Sequence, residues 1–178
     1  PFGKGMHLGN NVPKPINHII GNWSVGGTYI AQTGLYFTPG FSGVDPSNTN
    51  RRSGRPDRIG DGNLPSSQRA VQRWFDTSAF VAPPAGIGRF GNSGAFILEG
   101  PGINVFHFGA NKEIVLHERA RLKLEMVSTN FFNHPHFAFP NTTIGTSTYG
   151  QILATGGGSS SSSGEGPRDF SFTVRFIF

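Results

Sequence analysis

The chain has 178 residues, enough for one domain with a real core, but only 35% are hydrophobic, and its 26 glycines and 13 prolines favour strands and long loops over helices. Charged residues make up 14%, low for a water-soluble globule, and the formal charge of +5 is scattered along the chain instead of gathered on a stripe, which argues against nucleic acid as a partner. The lack of Cys excludes disulfide staples, thiol nucleophiles and Cys-based zinc sites, and no run approaches the ~20 apolar residues of a spanning helix, so any membrane role falls to strands.

The sequence opens Pro1-Phe2-Gly3, without an initiator Met or a signal peptide, and reads as a piece of a longer precursor. Turn-formers dominate residues 1–21 around Ile16, Ile19 and Ile20, a pattern expected of a strand end followed by a turn. Residues 22–38 then alternate, with Trp23, Val25, Tyr29 and Ala31 on one side and Ser24, Thr28 and Gln32 on the other. Leu35-Tyr36-Phe37 extends this strand before Pro39-Gly40 stops it.

A long polar, glycine-rich region runs from 40 to about 101. Within it, Ser66 to Phe75 offers a cap and spaced apolar groups, the makings of a helix. The next strand is expected over 103–116, with Phe106, Phe108 and Ala110 set against Val105, His107 and Gly109. After a tight turn near His117-Glu118, residues 119–132 place Ala120, Leu122, Leu124 and Met126 on one face and Arg119, Arg121, Lys123 and Glu125 on the other. Such a charged row cannot face hydrocarbon and fits a wet lumen or a polar interior.

Residues 133–167 read as loop, with a flexible Gly156 to Ser163 tract. The closing strand, 168–178, has the cleanest period of all. Phe170, Phe172, Val174, Phe176 and Phe178 point one way, Asp169, Ser171, Thr173 and Arg175 the other, and Ile177 alone breaks the polar side. Short turns near 14–21 and 116–118 thus alternate with long loops at 40–101 and 133–167, the asymmetry with which outer-membrane barrels are built. The expected fold is all-β: antiparallel up-and-down strands of outer-membrane-barrel type, in one β-segment spanning 1–178. Four or five strands are too few to close, since the smallest such barrels need about eight, so the chain must pair with other strands or other chains.

Several stretches carry a family resemblance. They include Gly21-Asn22-Trp23-Ser24-Val25-Gly26-Gly27, Ala31-Gln32-Thr33-Gly34, Arg55-Pro56-Asp57, Arg73-Trp74-Phe75-Asp76-Thr77-Ser78-Ala79-Phe80 and Gly100-Pro101-Gly102. With Pro1-Phe2-Gly3-Lys4-Gly5 before them and Phe131-Phe132-Asn133-His134-Pro135 and Arg175-Phe176-Ile177-Phe178 after, the series resembles the carboxy-terminal end of TonB-dependent outer-membrane receptors. The kind it is most similar to is the Oar-like group with an amino-terminal carboxypeptidase-regulatory-like domain, abundant in Acidobacteria. The resemblance implies a barrel of about 22 strands with a plugged lumen, of which this chain supplies the last four and the tail of a fifth. It also implies that Phe178, with Phe176, Val174, Phe172 and Phe170, is the signal read by the barrel-assembly machinery. The plug and the TonB-contacting segment are not in this sequence, Gly91 to Phe96 lacks an expected basic residue, and the serine run resembles an insertion.

Other chemistry finds little support. His134-Pro135-His136 lacks a third ligand nearby, and Asp57, Asp61 and Asp76 lack the spacing and terminal Glu of an EF-hand, so no metal site is assigned. No Gly-x-Ser-x-Gly elbow or phosphate loop occurs, Asn22 and Asn141 are formal glycosylation sequons of which only Asn141 lies away from a strand, and no enzyme or cofactor is expected. The expected partners are the other strands of a parent barrel, the assembly machinery and outer-membrane lipid. Two alternatives accompany this reading: a released fragment that self-assembles by strand pairing into an extracellular β-rich fibre, and a secreted β-domain that binds glycan or protein.

Overall fold

The computed structural model describes residues 7, 11, 13–117, 120–156 and 166–178. These divide into two compact units, one drawing its described residues from Pro1–Ile30, Asn104–His134 and Gly164–Phe178, the other from Ala31–Ile103 and Pro135–Ser163.

Four long strands make the sheet of the first unit: β1 (Trp23–Gln32), β2 (Ile103–His117), β3 (Ala120–Thr129) and β4 (Asp169–Ile177), side by side in chain order. β3 runs antiparallel to β2, with Phe108 opposite Ser128 and Val115 opposite Arg121, and a register shift follows between Val115 and His117. β4 runs antiparallel to β3, from Asp169 opposite Thr129 to Ile177 opposite Arg121. On the other side of β2, the Glu113 N–H donates to the Asn22 carbonyl at 3.1 Å, and a Cβ on Gly109 would lie 4.0 Å from the Gly26 oxygen. Numbers rise on one strand as they fall on the other, so β1 is antiparallel too. Among the described residues the sheet is open, with β1 and β4 as its edges.

Where β3 ends, Asn130 takes φ +45°, a conformation Asn adopts more readily than most residues. Its side chain, 1% exposed, ties the following loop down: Nδ2 donates to the His134 and Gly166 carbonyls and Oδ1 accepts from the His134 N–H. This explains why β3 stops at Thr129 although the alternation could be read on to 132.

Residues Lys14–Ile20 form a short helix, which corrects the expected strand end and turn. Pro15 lies in its first turn, where the missing N–H costs nothing. Nor do residues 22–38 run as one strand. The chain leaves β1 after Gln32 because Gly34 lies against Gly100 so closely that a Cβ there would fall 1.8 Å from the Gly100 oxygen. Tyr36–Phe37 then pairs antiparallel with Leu98–Glu99.

The second unit corrects the reading of the long loops as simple loop. Besides that pair, Gly40–Ser42 bonds antiparallel to Ser53–Gly54 and parallel to Thr143–Ile144, and Asp57–Arg58 pairs with Phe80–Val81. Around these ladders a core closes on Phe37, Phe75, Ala79, Phe80 and Leu98, with Phe139, Ile144 and Tyr149 of the later loop packed against it. Phe75 sits at its centre, its ring 5.6 Å from Phe37, 6.3 Å from Phe80 and 5.3 Å from Tyr149. The helix expected over Ser66 to Phe75 is reduced to one 3-10 turn, Ser66–Gln68. Its apolar residues are claimed by this core instead: Phe75 is 1% exposed, and the Trp74 indole donates to the Glu99 carbonyl at 2.9 Å. The expected turn at Glu118, the charge at Arg119, the opening Pro1 to Gly5 and the Gly157 to Ser163 tract lie outside the described residues.

Candidate functional site: a two-faced sheet

Residues opposite one another in a ladder share a face. The registers therefore put Phe108, Ser128 and Phe170 together, then Ala110, Met126 and Phe172, then Lys112, Leu124 and Val174, then Ile114, Leu122 and Phe176. Trp23, Val25 and Tyr29 of β1 extend this apolar face, and Phe178 follows Phe176 on it, the two rings 5.9 Å apart. On the two edge strands its side chains are open to the surroundings, with Val25 62% exposed, Phe172 72% and Phe178 94%, whereas Ala110, Lys112 and Ser128 on the middle strands are buried.

The reverse face is polar, with Asn111, Glu125 and Thr173 in one row and Glu113, Lys123 and Arg175 in the next. Opposite charges meet there, Arg121 with Glu113 at 2.8 Å and Lys123 with Glu125 at 3.6 Å. The charged row expected from the sequence is thus neutralised in two ways, across strands where Arg121 of β3 meets Glu113 of β2 and along β3 where Lys123 meets Glu125.

Aromatic rings gather at both ends of the apolar face. Towards the long loops, Phe106 stacks on Phe132 at 5.5 Å, Phe108 meets Phe131 at 5.2 Å, and Phe131 meets Phe170 at 6.4 Å. The Phe106 ring also lies over Gly27, filling the place a side chain would take. Towards the short connection stand Phe176 and Phe178, and Trp23 opens β1 in the row of Lys112. From Phe170 to Phe178 the strand path is roughly 26 Å at ~3.3 Å per residue, which at the roughly 35–45° tilt of outer-membrane barrels rises about 19–22 Å, most of their roughly 25 Å apolar band. The strands have 10, 15, 10 and 9 residues, against the about 9–11 a membrane-crossing strand needs.

The family model for the outer membrane beta barrel domain matches residues 1–170. The chain belongs to that family. No curated protein and no solved structure matches it significantly. An outer membrane beta barrel domain resides in the bacterial outer membrane, and its strands alternate apolar residues towards lipid with polar residues towards the lumen. The apolar face of this sheet answers to the first description and the charged face to the second.

The carboxylates weighed as metal ligands are engaged otherwise. Arg89 grips Asp57 with two bonds of 2.7 and 2.8 Å, Arg58 holds Asp61 at 2.6 Å, and Asp76 accepts from Ser78 and from Arg73. His136 is buried, and the His134 N–H is taken by Asn130. Among the described residues no three His, Asp or Glu gather as a metal-holding group.

The Arg89 hydrogen bonds, opposed by some desolvation and aided by the Asn92 N–H, hold the Asp57 carboxyl below its ordinary range. A carboxyl lowered in the folded state contributes stability above its unfolded pKa and loses it as pH falls through the folded one. Acid should therefore loosen the loop unit, and Asp57→Asn should flatten this pH dependence. Hydrogen exchange at the Arg58 and Asn92 amides, followed from neutral to strongly acidic pH, checks both.

The sequence does not mark Lys112 as special, although counting on by twos from Phe108 puts it on the apolar face. It is 6% exposed, and its Nζ donates to the Ile19 carbonyl at 2.7 Å and the Gly21 carbonyl at 3.1 Å. The Trp23 ring covers it, 5.0 Å from Nζ to the ring centre. A cation on a lipid-facing strand is tolerable when its charge is taken up in this way.

Proposed function

We propose that this outer membrane beta barrel domain is the carboxy-terminal part of a TonB-dependent-receptor-like barrel, a non-enzymatic wall segment whose parent takes up substrate across the outer membrane. One observation carries the reading: an antiparallel meander with one apolar face, exposed along its edge strands, one charged face and, among the described residues, both edges open. Two open edges are what a piece of a larger cylinder presents, and the ordered series of motifs similar to the Oar-like group supports the particular parent. Phe170, Phe172, Val174, Phe176 and Phe178 then serve as the strand that the assembly machinery reads, and its free edge pairs with the first strand of the same barrel. Outer-membrane lipid covers the apolar face.

The test is assembly in the outer membrane, read as a heat-modifiable band in gels. Removing Phe178 is expected to lower the assembled amount several-fold, while Ser171→Ala on the polar face of the same strand leaves it unchanged. Equal assembly without Phe178 would take the signal role away from this residue.

The same open edges favour one other reading, strand addition between identical chains released as fragments. It differs in requiring no lipid.

A further inference from the structure

We propose that the short helix Lys14–Ile20 is an interfacial lipid anchor, laid against the membrane at the short-connection end of the sheet and moored there by Lys112 and Trp23. The proposal rests on the assignment of the apolar sheet face to lipid, and extends that surface to a segment outside the strands.

The helix leads into the start of β1, the end at which β2 and β3 are joined by their short connection. In barrels of this kind that end faces the periplasm. Two side chains of the apolar face reach the helix's last carbonyls. Lys112 Nζ donates to Ile19 and Gly21, and the Trp23 indole N–H donates to the same Ile19 oxygen at 2.9 Å. A helix end has unpaired carbonyls and the negative end of its dipole, both answered by a cation placed there. Mooring and masking are therefore one arrangement: the helix end is capped, and the Lys112 charge is hidden from the hydrocarbon around it.

So held, the helix leaves Ile16 46% and Ile19 70% exposed. Three residues apart, they share one side of the helix, and His18 lies off that side. An exposed apolar stripe on a helix held by two side chains of the apolar sheet face, one of them a Trp with its N–H satisfied, has the make-up of a segment lying in the headgroup boundary. The occupant is thus the lipid of the periplasmic leaflet.

The test places nitroxide labels on single cysteines in the full-length protein assembled in outer membranes. Ile16→Cys, Ile19→Cys and His18→Cys probe the helix, and Phe172→Cys probes the sheet. Collision with oxygen, which concentrates in lipid, is compared with collision with a water-soluble nickel chelate. Labels at 16 and 19 should favour oxygen several-fold over the label at 18, and adding Lys112→Met should erase that difference. Labels at 16 and 19 that favour the nickel chelate would overturn the anchor, as would labels shielded from both reagents, the mark of a covering protein strand. The label at 172 separates the two levels of the account. If it favours oxygen while 16 and 19 do not, the anchor alone fails; if it also favours the chelate, the assignment of the sheet face to lipid fails with it.

Discussion

Val174→Arg should destabilise the membrane-inserted protein by about 2–4 kcal/mol, the cost of an unmasked cation near the middle of a lipid-facing strand. Val174 is 67% exposed and stands between the two aromatic ends of the apolar face, opposite Leu124. Its neighbour Thr173 lies on the charged face, opposite Glu125. Thr173→Arg should therefore cost little, because it adds a cation where water and a carboxylate already are. Denaturant titration of both variants in lipid vesicles measures the difference. In a water-exposed sheet an arginine at an open position would be nearly harmless on either face, so equal effects would count against lipid contact. Lys112 marks the exception on the same face, since two carbonyls and an indole ring take up its charge.

Phe75→Ala should remove about 3–5 kcal/mol from the loop unit, the cost of emptying the place of a fully buried phenylalanine. The ring touches Phe37, Phe80 and Tyr149, which arrive from three separate stretches of the chain, so no single neighbour can move in to fill the gap. Hydrogen exchange reads the effect locally. The Ile59 amide, bonded to the Ala79 carbonyl, and the Gly100 amide, bonded to the Leu35 carbonyl, should exchange about a hundredfold faster or more. Strand amides such as those of β3 should keep their protection. Loss of protection throughout both units would mean that the loop core and the sheet open together.

The strands were legible in the sequence because a two-faced sheet writes itself as a period of two. Phe170 to Phe178 and Ala120 to Met126 could be assigned to faces by counting alone, and the registers place them on those faces. The loop unit was not legible for the opposite reason. Its core draws Phe37, Phe75, Leu98 and Phe139 from points far apart in the chain, and no local period joins them. Trp74 and Phe75 even imitate the spacing of a helix, a preference overridden once both are recruited to that core. The helix at Lys14–Ile20 was missed because its capping group, Lys112, is more than ninety residues away. Gly34 held a partial clue, since a glycine that ends a strand often marks close backbone approach, but its neighbour Gly100 could not be named from sequence.

The most direct test of the barrel-wall account is electron microscopy of the native protein purified with and without detergent, with mass spectrometry of the same sample to fix the ends of its chain. The account predicts particles that stay dispersed only in detergent, in which β1 and β4 are both paired with further strands of one closed barrel. Long uniform fibres in detergent-free buffer, built from this chain with β1 and β4 paired between copies, would contradict it.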